Sequence, residues 1–243
     1  MYVKQTSEYF LLAIFYVDAL IILTNNVTQL KWLKSELKKE VEMSDLKKLH
    51  YCLGLKSERN KETHTNTMKQ RKYIEEVLKR FNMEECKPVG TPFDVNSKLL
   101  KCSDEEFVNV QRKMIGVPYK ARVRFIMNAM MAPRADITFS VSTVSQFMLK
   151  AGPPHWMVVK RIIRYLKGIL DFKLCLICKN IVMRGFCDVD WTEDANERRS
   201  IRKYIFFVGV GVISWKCKKQ PTIVLLTTGA IHGWGTTFGC LTV

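Results

Sequence analysis

The chain has 243 residues, enough for a substantial hydrophobic core and for either one large domain or two small ones. Its 39 Lys and Arg outnumber its 23 Asp and Glu, giving a formal net charge of +16, while 47% of residues are apolar. That apolar content excludes a disordered basic tail. A folded chain this positive is typical of proteins with a polyanionic partner, most often nucleic acid and less often an anionic membrane surface.

The longest apolar run, from Phe10 to Leu23, does not fit a transmembrane helix because Asp18 interrupts it and a span needs about 20 apolar residues. The N-terminus also lacks the pattern of a secretory signal. We therefore expect an intracellular protein, cytoplasmic or nuclear, that is not secreted and has no membrane partner. Its cysteines are then reduced. One CxxC, Cys175 to Cys178, favours a half-buried strand over a metal site, since no second pair completes the ligands.

The first part of the chain alternates strand and helix patterns. Apolar runs on either side of Val17-Asp18-Ala19 predict a hairpin, and Leu30, Leu33, Leu37 and Val41 predict an amphipathic helix. A second hairpin is predicted from two extended runs, Leu53 to Arg59 and Thr63 to Lys69. A second helix is predicted from the apolar stripe between Tyr73 and Phe81.

From Glu84 to Leu100, Pro and Gly interrupt both periods, which predicts a linker. Helices are then predicted over Pro118 to Met131, over Arg134 to Leu149, and after Gly152-Pro153-Pro154, where proline suits the first turn. Strands return at the end, predicted over Phe172 to Ile177, Ile181 to Asp188, Tyr204 to Val208 and Val212 to Lys216. The fold class is therefore α+β.

Basic residues recur on two of these elements. The last predicted helix has an apolar stripe, and Lys160, Arg164 and Lys167 line another face of it with Arg161 nearby. Lys216 ends the last predicted strand, and Lys218 and Lys219 follow it. These side chains either contact phosphates or only solvate a surface, and the pattern does not choose between the two.

Several motifs together resemble copia-type retrotransposon Pol polyproteins. Tyr16-Val17-Asp18-Ala19 inside an apolar hairpin is similar to the YVDD turn of reverse transcriptases. LKKLHYCLGL (46–55) and QRKYIEEVLKRFNMEECKPVGTP (70–92) resemble the segment that follows that turn. APRADITFSVSTVSQFM (132–148), RGFCDVDW (184–191), RRS (198–200) and ISWKCKKQPTIVL (213–225) resemble the connection and ribonuclease H regions, so the resemblance runs from about Phe10 to Thr228.

The resemblance implies a partial palm with thumb-like and connecting helices, followed by an incomplete ribonuclease H-like sheet. The expected domains are 1–92 for the end of the palm and the thumb-like region, 93–171 for the helical connection, 172–228 for the start of the ribonuclease H-like domain, and 229–243 for a divergent tail. It also implies that the parent protein copies RNA into DNA and degrades the RNA strand of the hybrid. The implied cofactor is Mg²⁺ or Mn²⁺, and the implied partner is an RNA or DNA primer-template duplex.

The polymerase site of this family holds two metal ions with three carboxylates, one on an early palm strand and two at the YVDD turn. Asp18 matches the first turn carboxylate, whereas Ala19 stands at the second position and cannot bind metal. We expect the early palm strand and the fingers to lie upstream of Met1, outside this chain. One ligand of three then remains.

The ribonuclease H site of the family needs four carboxylates. Asp188 matches the first, but the motif TTEAEY becomes TTGAIH here, with Ile231 at the catalytic position and Gly229 at the other glutamate, and the remaining aspartates do not appear. Arg122, Arg124 and the Arg202-Lys203 pair also depart from the family pattern and look like accumulated changes. Charges on a packed face cost several kcal/mol unless they reach water or a partner.

The sequence therefore predicts a non-catalytic remnant with vestigial sites at Asp18 and Asp188 that binds no metal tightly. The alternative is a nucleic-acid-binding protein that uses the retained basic surface without chemistry. An enzyme requires other Pol segments to supply the absent carboxylates in trans.

Overall fold

A computed structural model of the chain describes residues 1–94, 96–97, 99–101, 104–177, 182–190 and 201–220. The chain divides into two compact units, Met1–His50 and Tyr51–Val243. The described residues form three antiparallel sheets and six α-helices, so the predicted α+β class is confirmed. The expected domain boundaries after residues 92, 171 and 228 stay predictions.

The unit of residues 1–50 is a three-stranded antiparallel sheet with one helix. Its strands are β1 (Tyr2–Gln5), β2 (Phe10–Tyr16) and β3 (Ala19–Thr24), in the order β1-β2-β3, and its helix is α1 (Val27–Glu40). The predicted hairpin is thus present, with Tyr16 paired to Ala19 across its tip. Asn26 caps α1 by accepting hydrogen bonds from the backbone N–H groups of Thr28 and Gln29. The predicted amphipathic helix is present as α1, although none of its residues is buried.

The second unit begins with the strands β4 (Tyr51–Cys52), β5 (Leu55–Asn60) and β6 (Thr65–Lys69), which include the predicted second hairpin. A fourth strand, β7 (Lys173–Ile177), hydrogen-bonds to β6 and completes the order β4-β5-β6-β7. The sequence groups β7 with the strands that follow it. Because local patterning carries no information on which distant strand is a partner, this pairing was not foreseeable.

The helices of the second unit enclose its hydrophobic core. They are α2 (Arg71–Arg80), α3 (Asp104–Lys113), α4 (Tyr119–Met131), α5 (Thr138–Ser145) and α6 (Pro153–Gly168). The fully buried side chains include Val123, Ile126, Val141, Val144, Val159, Ile162, Ile163 and Leu166. The sequence missed α3, and the helix predicted over Arg134 to Leu149 is a 3₁₀ turn at Ala135–Ile137 followed by the shorter α5.

The last described strands, β8 (Met183–Asp190), β9 (Ile201–Val208) and β10 (Gly211–Lys219), form a sheet in the order β8-β9-β10. Gly211 lies against β7, where an added Cβ would come within 2.4 Å of the Leu176 side chain and 2.8 Å of the Cys175 carbonyl oxygen. Glycine therefore permits the close approach of β10 to β7. No helix among the described residues has the length and apolar character needed to cross a membrane.

Candidate functional site

The tip of the β2–β3 hairpin presents the first predicted site residue, Asp18. Val17 before it has φ 48°, a left-handed conformation that strains a β-branched residue. Asp18 is exposed at this turn, and Ala19 begins β3 half-buried. The turn therefore offers a single carboxylate, because the methyl group of Ala19 has no metal-binding atom.

The second predicted carboxylate, Asp188, lies on β8 directly opposite Lys203 of β9. The Lys203 Nζ is 3.6 Å from Asp188 Oδ2, and the Asp188 side chain is 66% exposed. The same ammonium group lies 5.0 Å from the centre of the Phe139 ring. Lys203 thus compensates the negative charge of Asp188 from within the sheet, so its ammonium competes with any cation at that carboxylate.

The described residues do not fit the two-metal sites of the family. Nowhere in the described ranges do three or more His, Cys, Asp or Glu side chains group so that they could hold a metal ion. A pair of Mg²⁺ or Mn²⁺ ions needs a concentrated set of carboxylate ligands. Gly229 and Ile231, which the sequence analysis predicts at the positions of the family's two glutamates, lie outside the described residues.

Most of the predicted basic row of α6 contacts the protein itself. Arg164 Nε donates to the carbonyl oxygen of Lys87 at 2.6 Å, and Lys167 Nζ donates to that of Cys86 at 2.8 Å. Arg161 donates to the carbonyl oxygen of Thr91 at 3.2 Å and to its hydroxyl at 2.8 Å.

These three cations hold residues 86–91, here called the strap, along α6. The described residues between 84 and 101 form no helix or strand, as predicted for a linker, so their backbone carbonyls need partners from elsewhere. An added Cβ at Gly168 would lie 3.3 Å from Pro88 Cβ, which shows how closely the strap approaches the helix. Two features of the sequence could have predicted this arrangement: a row of cations on one helix and a long irregular segment whose carbonyl groups need donors.

Lys160, the fourth member of the row, lies against an aromatic ring instead, with its Nζ 5.8 Å from the centre of the Trp156 ring. On β10, Lys216 and Lys218 are exposed, whereas Lys219 is half-buried. Trp215 and Cys217, at the alternate positions, contact the helices: Trp215 Nε1 donates to the Met130 carbonyl oxygen at 3.0 Å, and the Cys217 carbonyl oxygen accepts from the Ser142 hydroxyl at 3.0 Å. Because side chains alternate along a strand, Lys216 and Lys218 lie on the opposite face of β10.

Arg122, which looked like an accumulated change, is a partnered core residue. It is 9% exposed, and its Nη2 donates to the Phe81 carbonyl oxygen at 2.9 Å. Its guanidinium lies 4.7 Å from the centre of the Phe81 ring and 4.3 Å from that of Trp156. Burial lowers the pKa of this guanidinium. The expected cost of a charge on a packed face is therefore offset by its contacts, whereas Arg124 is exposed.

Sequence reasoning also missed a polar cluster around Asp136. Arg134, only 2% exposed, donates to both carboxylate oxygens of Asp136 at 2.9 and 2.6 Å, and the Tyr165 hydroxyl donates at 2.9 Å. Burial raises the pKa of Asp136, but the hydrogen bond and charge of Arg134 outweigh burial and lower it overall. The carboxylate is thus ionised and saturated with donors, which suits a structural tie rather than proton transfer.

Comparison with known proteins identifies the family of this chain. Residues 1–95 match the family described as reverse transcriptase (RNA-dependent DNA polymerase). Over 231 residues the chain is 37% identical to a retrovirus-related Pol polyprotein from transposon TNT 1-94 of Nicotiana tabacum, covering 95% of this chain and 17% of that protein. Over 235 residues it is 29% identical to a Pol polyprotein from transposon RE2 of Arabidopsis thaliana, covering 95% of this chain and 15% of that protein.

A shorter relative matches over most of its own length. Over 215 residues the chain is 31% identical to an uncharacterized mitochondrial protein of Arabidopsis thaliana, covering 86% of this chain and 83% of that protein. The chain therefore belongs to the copia-type retrotransposon Pol polyprotein family, in its reverse transcriptase region. It spans about one sixth of the length of the tobacco polyprotein. No solved structure matches the chain.

Proposed function

We propose that this chain is a non-catalytic fragment of a copia-type reverse transcriptase and ribonuclease H. In this proposal residues 1–92 are the end of the palm and a thumb-like region, 93–171 are the connection, 172–228 begin a ribonuclease H-like domain, and 229–243 are a divergent tail. The observation that carries it is the β2–β3 turn, where Asp18 is followed by Ala19. A two-metal polymerase site needs the second turn carboxylate.

The β8 carboxylate supports the same proposal. Asp188 would be the first ligand of the ribonuclease H-like site, and Lys203 lies 3.6 Å from it. A fixed ammonium beside the carboxylate weakens its attraction for a divalent cation. The residues that the structure describes also contain no group of three or more His, Cys, Asp or Glu side chains that could hold a metal ion.

Assays of the purified chain with Mg²⁺ or Mn²⁺ test this proposal. We expect no extension of a primer on an RNA template and no cleavage of RNA in an RNA–DNA hybrid above the levels of the matched variants Asp18→Ala and Asp188→Ala. An active reverse transcriptase in parallel confirms the substrates. Metal-dependent activity that disappears in either variant would contradict the proposal, and activity that appears only with added Pol segments would establish the enzyme in trans.

A second candidate function is binding of an RNA or DNA primer-template duplex without chemistry, in the cytoplasm or nucleus. The observation that favours it is the exposed pair Lys216 and Lys218 on the outer face of β10. Of the α6 row, Lys160 is the residue that we assign to duplex binding, because Arg161, Arg164 and Lys167 donate to the strap.

Fluorescence anisotropy with a labelled duplex tests the second function. We expect binding that weakens steeply with salt, with a slope of log K against log salt that falls by about 1.8 in the variant K216Q/K218Q. The variant K31Q/K38Q removes the same charge from exposed positions of α1 and serves as the control. Equal slopes in the two variants would show that net charge, and not β10, attracts the duplex.

A further inference from the structure

The strand β8 lies at an edge of its sheet, and this edge is open. The strand has eight residues and pairs with β9 without a register shift. Every residue from Val182 to Asp188 is exposed, including the large apolar residues Met183 and Phe186. Among the described residues, no strand pairs with the outer side of β8. A long, exposed edge of this kind pairs readily with another strand.

Two other edge strands in the second unit are protected against such pairing. The strand β4 has only two residues. On β10 a register shift between Val212 and Ser214 interrupts the ladder, and the Cys217 carbonyl oxygen already accepts from the Ser142 hydroxyl. Short strands, bulges and covering elements are the usual ways in which proteins block edge pairing. By contrast, β8 is long, regular in its pairing with β9, and exposed.

The hydrogen bonds of β8 show which of its backbone groups point outward. The Gly209 N–H donates to the Val182 carbonyl oxygen at 2.9 Å, and the register places these two residues opposite each other. Hydrogen-bonded pairs occur at every second residue of an antiparallel ladder, so the even-numbered residues of β8 direct their N–H and C=O groups toward β9. The odd-numbered residues, among them Gly185 and Cys187, therefore direct theirs outward.

A second copy of β8 matches this edge in one antiparallel register. Outward groups must meet outward groups, so Gly185 exchanges hydrogen bonds with Cys187 of the second copy, and Phe186 lies at the two-fold axis. In that register Arg184 lies opposite Asp188 of the second copy, and symmetry repeats this pair. Sliding the second copy by two residues would instead place Phe186 opposite Arg184 or opposite Asp188. Opposite charges thus select the register centred on Phe186.

We propose that the chain forms a symmetric dimer through β8, which joins two sheets in the order β10-β9-β8-β8-β9-β10. One guanidinium N–H of Arg184 donates to the Gly209 carbonyl oxygen at 3.0 Å, so other donors of Arg184 remain for Asp188 of the second copy. The Phe186 side chain, 59% exposed, is covered by its counterpart. The dimer depends neither on catalysis nor on nucleic acid.

Sedimentation velocity of charge variants over a range of protein concentrations tests the dimer and its register. R184D places carboxylates opposite each other across the axis, and D188R places guanidinium groups opposite each other. Each variant alone should therefore dimerise about tenfold more weakly than the unchanged chain. A mixture of R184D with D188R restores both opposite-charge pairs and should form a heterodimer.

R124D is the matched control, because it makes the same charge change at an exposed position of α4. It should dimerise like the unchanged chain, and it should rescue D188R less well than R184D does, since that mixture restores only one pair. Circular dichroism confirms that each variant is folded. An unchanged chain that stays monomeric, single variants that dimerise as it does, or a mixture of R184D with D188R that does not associate would each overturn the proposal.

Hydrogen exchange distinguishes the β8 edge from any other dimer surface. The outward N–H groups of Gly185 and Cys187 should exchange more slowly as rising protein concentration forms the dimer, whereas those of Arg184 and Phe186, which point to β9, should change little. Cys187→Pro removes an outward donor but no bond to β9, and should weaken the dimer. A dimer without added protection of Gly185 and Cys187 would overturn the proposal. Protection of both amides at every concentration would also overturn it, by showing that another segment of the same chain covers the edge.

Discussion

The two units differ in how much apolar side chain they bury. Within residues 1–50, all of which the structure describes, Leu11 and Ala13 are the buried hydrophobic residues, whereas Phe15 and Trp32 are 63% and 55% exposed. In the second unit α2, α4, α5 and α6 enclose a contiguous core. Burial of apolar surface is the main stabilising term in folding. The β2–β3 turn, which we propose as the counterpart of the family's polymerase turn, therefore lies in the weakly packed unit, and the stability of the chain resides in the helical unit.

The largest expected effect is a cavity in the helical core. Ile162 is 0% exposed, and Ile162→Ala should destabilise the second unit by about 3 to 4 kcal/mol. Leu33→Ala on α1, which has no buried residue, should cost about 1 kcal/mol or less. Urea unfolding followed by circular dichroism measures both variants. Similar losses for the two would show that residues 1–50 are packed as firmly as the helical core.

The next effect separates two arginines on α4. Arg122→Met removes the donor to the Phe81 carbonyl oxygen and both ring contacts, and should cost about 2 to 3 kcal/mol. Arg124→Met removes the same charge at an exposed position and should stay within about 0.5 kcal/mol of the unchanged chain. Urea unfolding again provides the measurement. A neutral or stabilising Arg122→Met would mean that burying the charge costs as much as its contacts return.

The sequence predicted the features that depend on residues close together in the chain, but not the contacts between residues far apart. The hairpin at Val17-Asp18, the helix at Tyr73 to Phe81 and the apolar stripe of α6 depend on local periodicity, and all three are present. The pairing of β7 with β6 and the ties from α6 to the strap join residues far apart in sequence. Periodicity carries no record of such contacts.

The candidate site shows the same limit. The residue types at positions 18 and 19 could be read from the motif, because a metal site depends on the chemical identity of its ligands. The partner of Asp188 could not, since Lys203 meets it only through the register of β8 and β9. The sequence shows that Arg161, Arg164 and Lys167 form a row of cations. It does not show whether that row contacts protein or solvent, because tertiary packing decides this.

Another prediction concerns the hydrogen bonds that hold the strap along α6 in the second unit. The triple variant R161Q/R164Q/K167Q removes the charged donors to residues 86–91, and should lower the local opening free energy of the strap by about 1 to 2 kcal/mol. Hydrogen exchange of strap amides measures it, with R59Q/K61Q as a control whose cations have no ion pair in the described structure. Equal protection in the triple variant would mean that apolar contacts hold the strap unaided.

A pH dependence distinguishes the helical unit from residues 1–50. His155 of α6 is 2% exposed, its Nδ1 accepts from the Gly152 N–H at 2.9 Å, and burial lowers its pKa. As pH falls through about 6.5, the unfolded state takes up a proton that the folded state does not, so stability falls until the lower folded pKa is reached. The carboxyl groups with lowered pKa values, among them Asp136, act in a more acidic window. Urea unfolding between pH 7 and 5 should show the decline, and His155→Gln should flatten it.

The smallest expected effect concerns the strained turn in residues 1–50. Val17 is 85% exposed at φ 48°, a conformation that glycine adopts without steric cost. Val17→Gly relieves the strain but adds chain entropy to the unfolded state, so we expect a net local stabilisation of about 0.5 to 1 kcal/mol. Hydrogen exchange of β2 and β3 amides measures it, and Val17→Ala, which removes only the branch, should gain less. Because this unit buries few side chains, faster exchange in Val17→Gly would show that the valine stabilises the hairpin through contacts that outweigh its backbone strain.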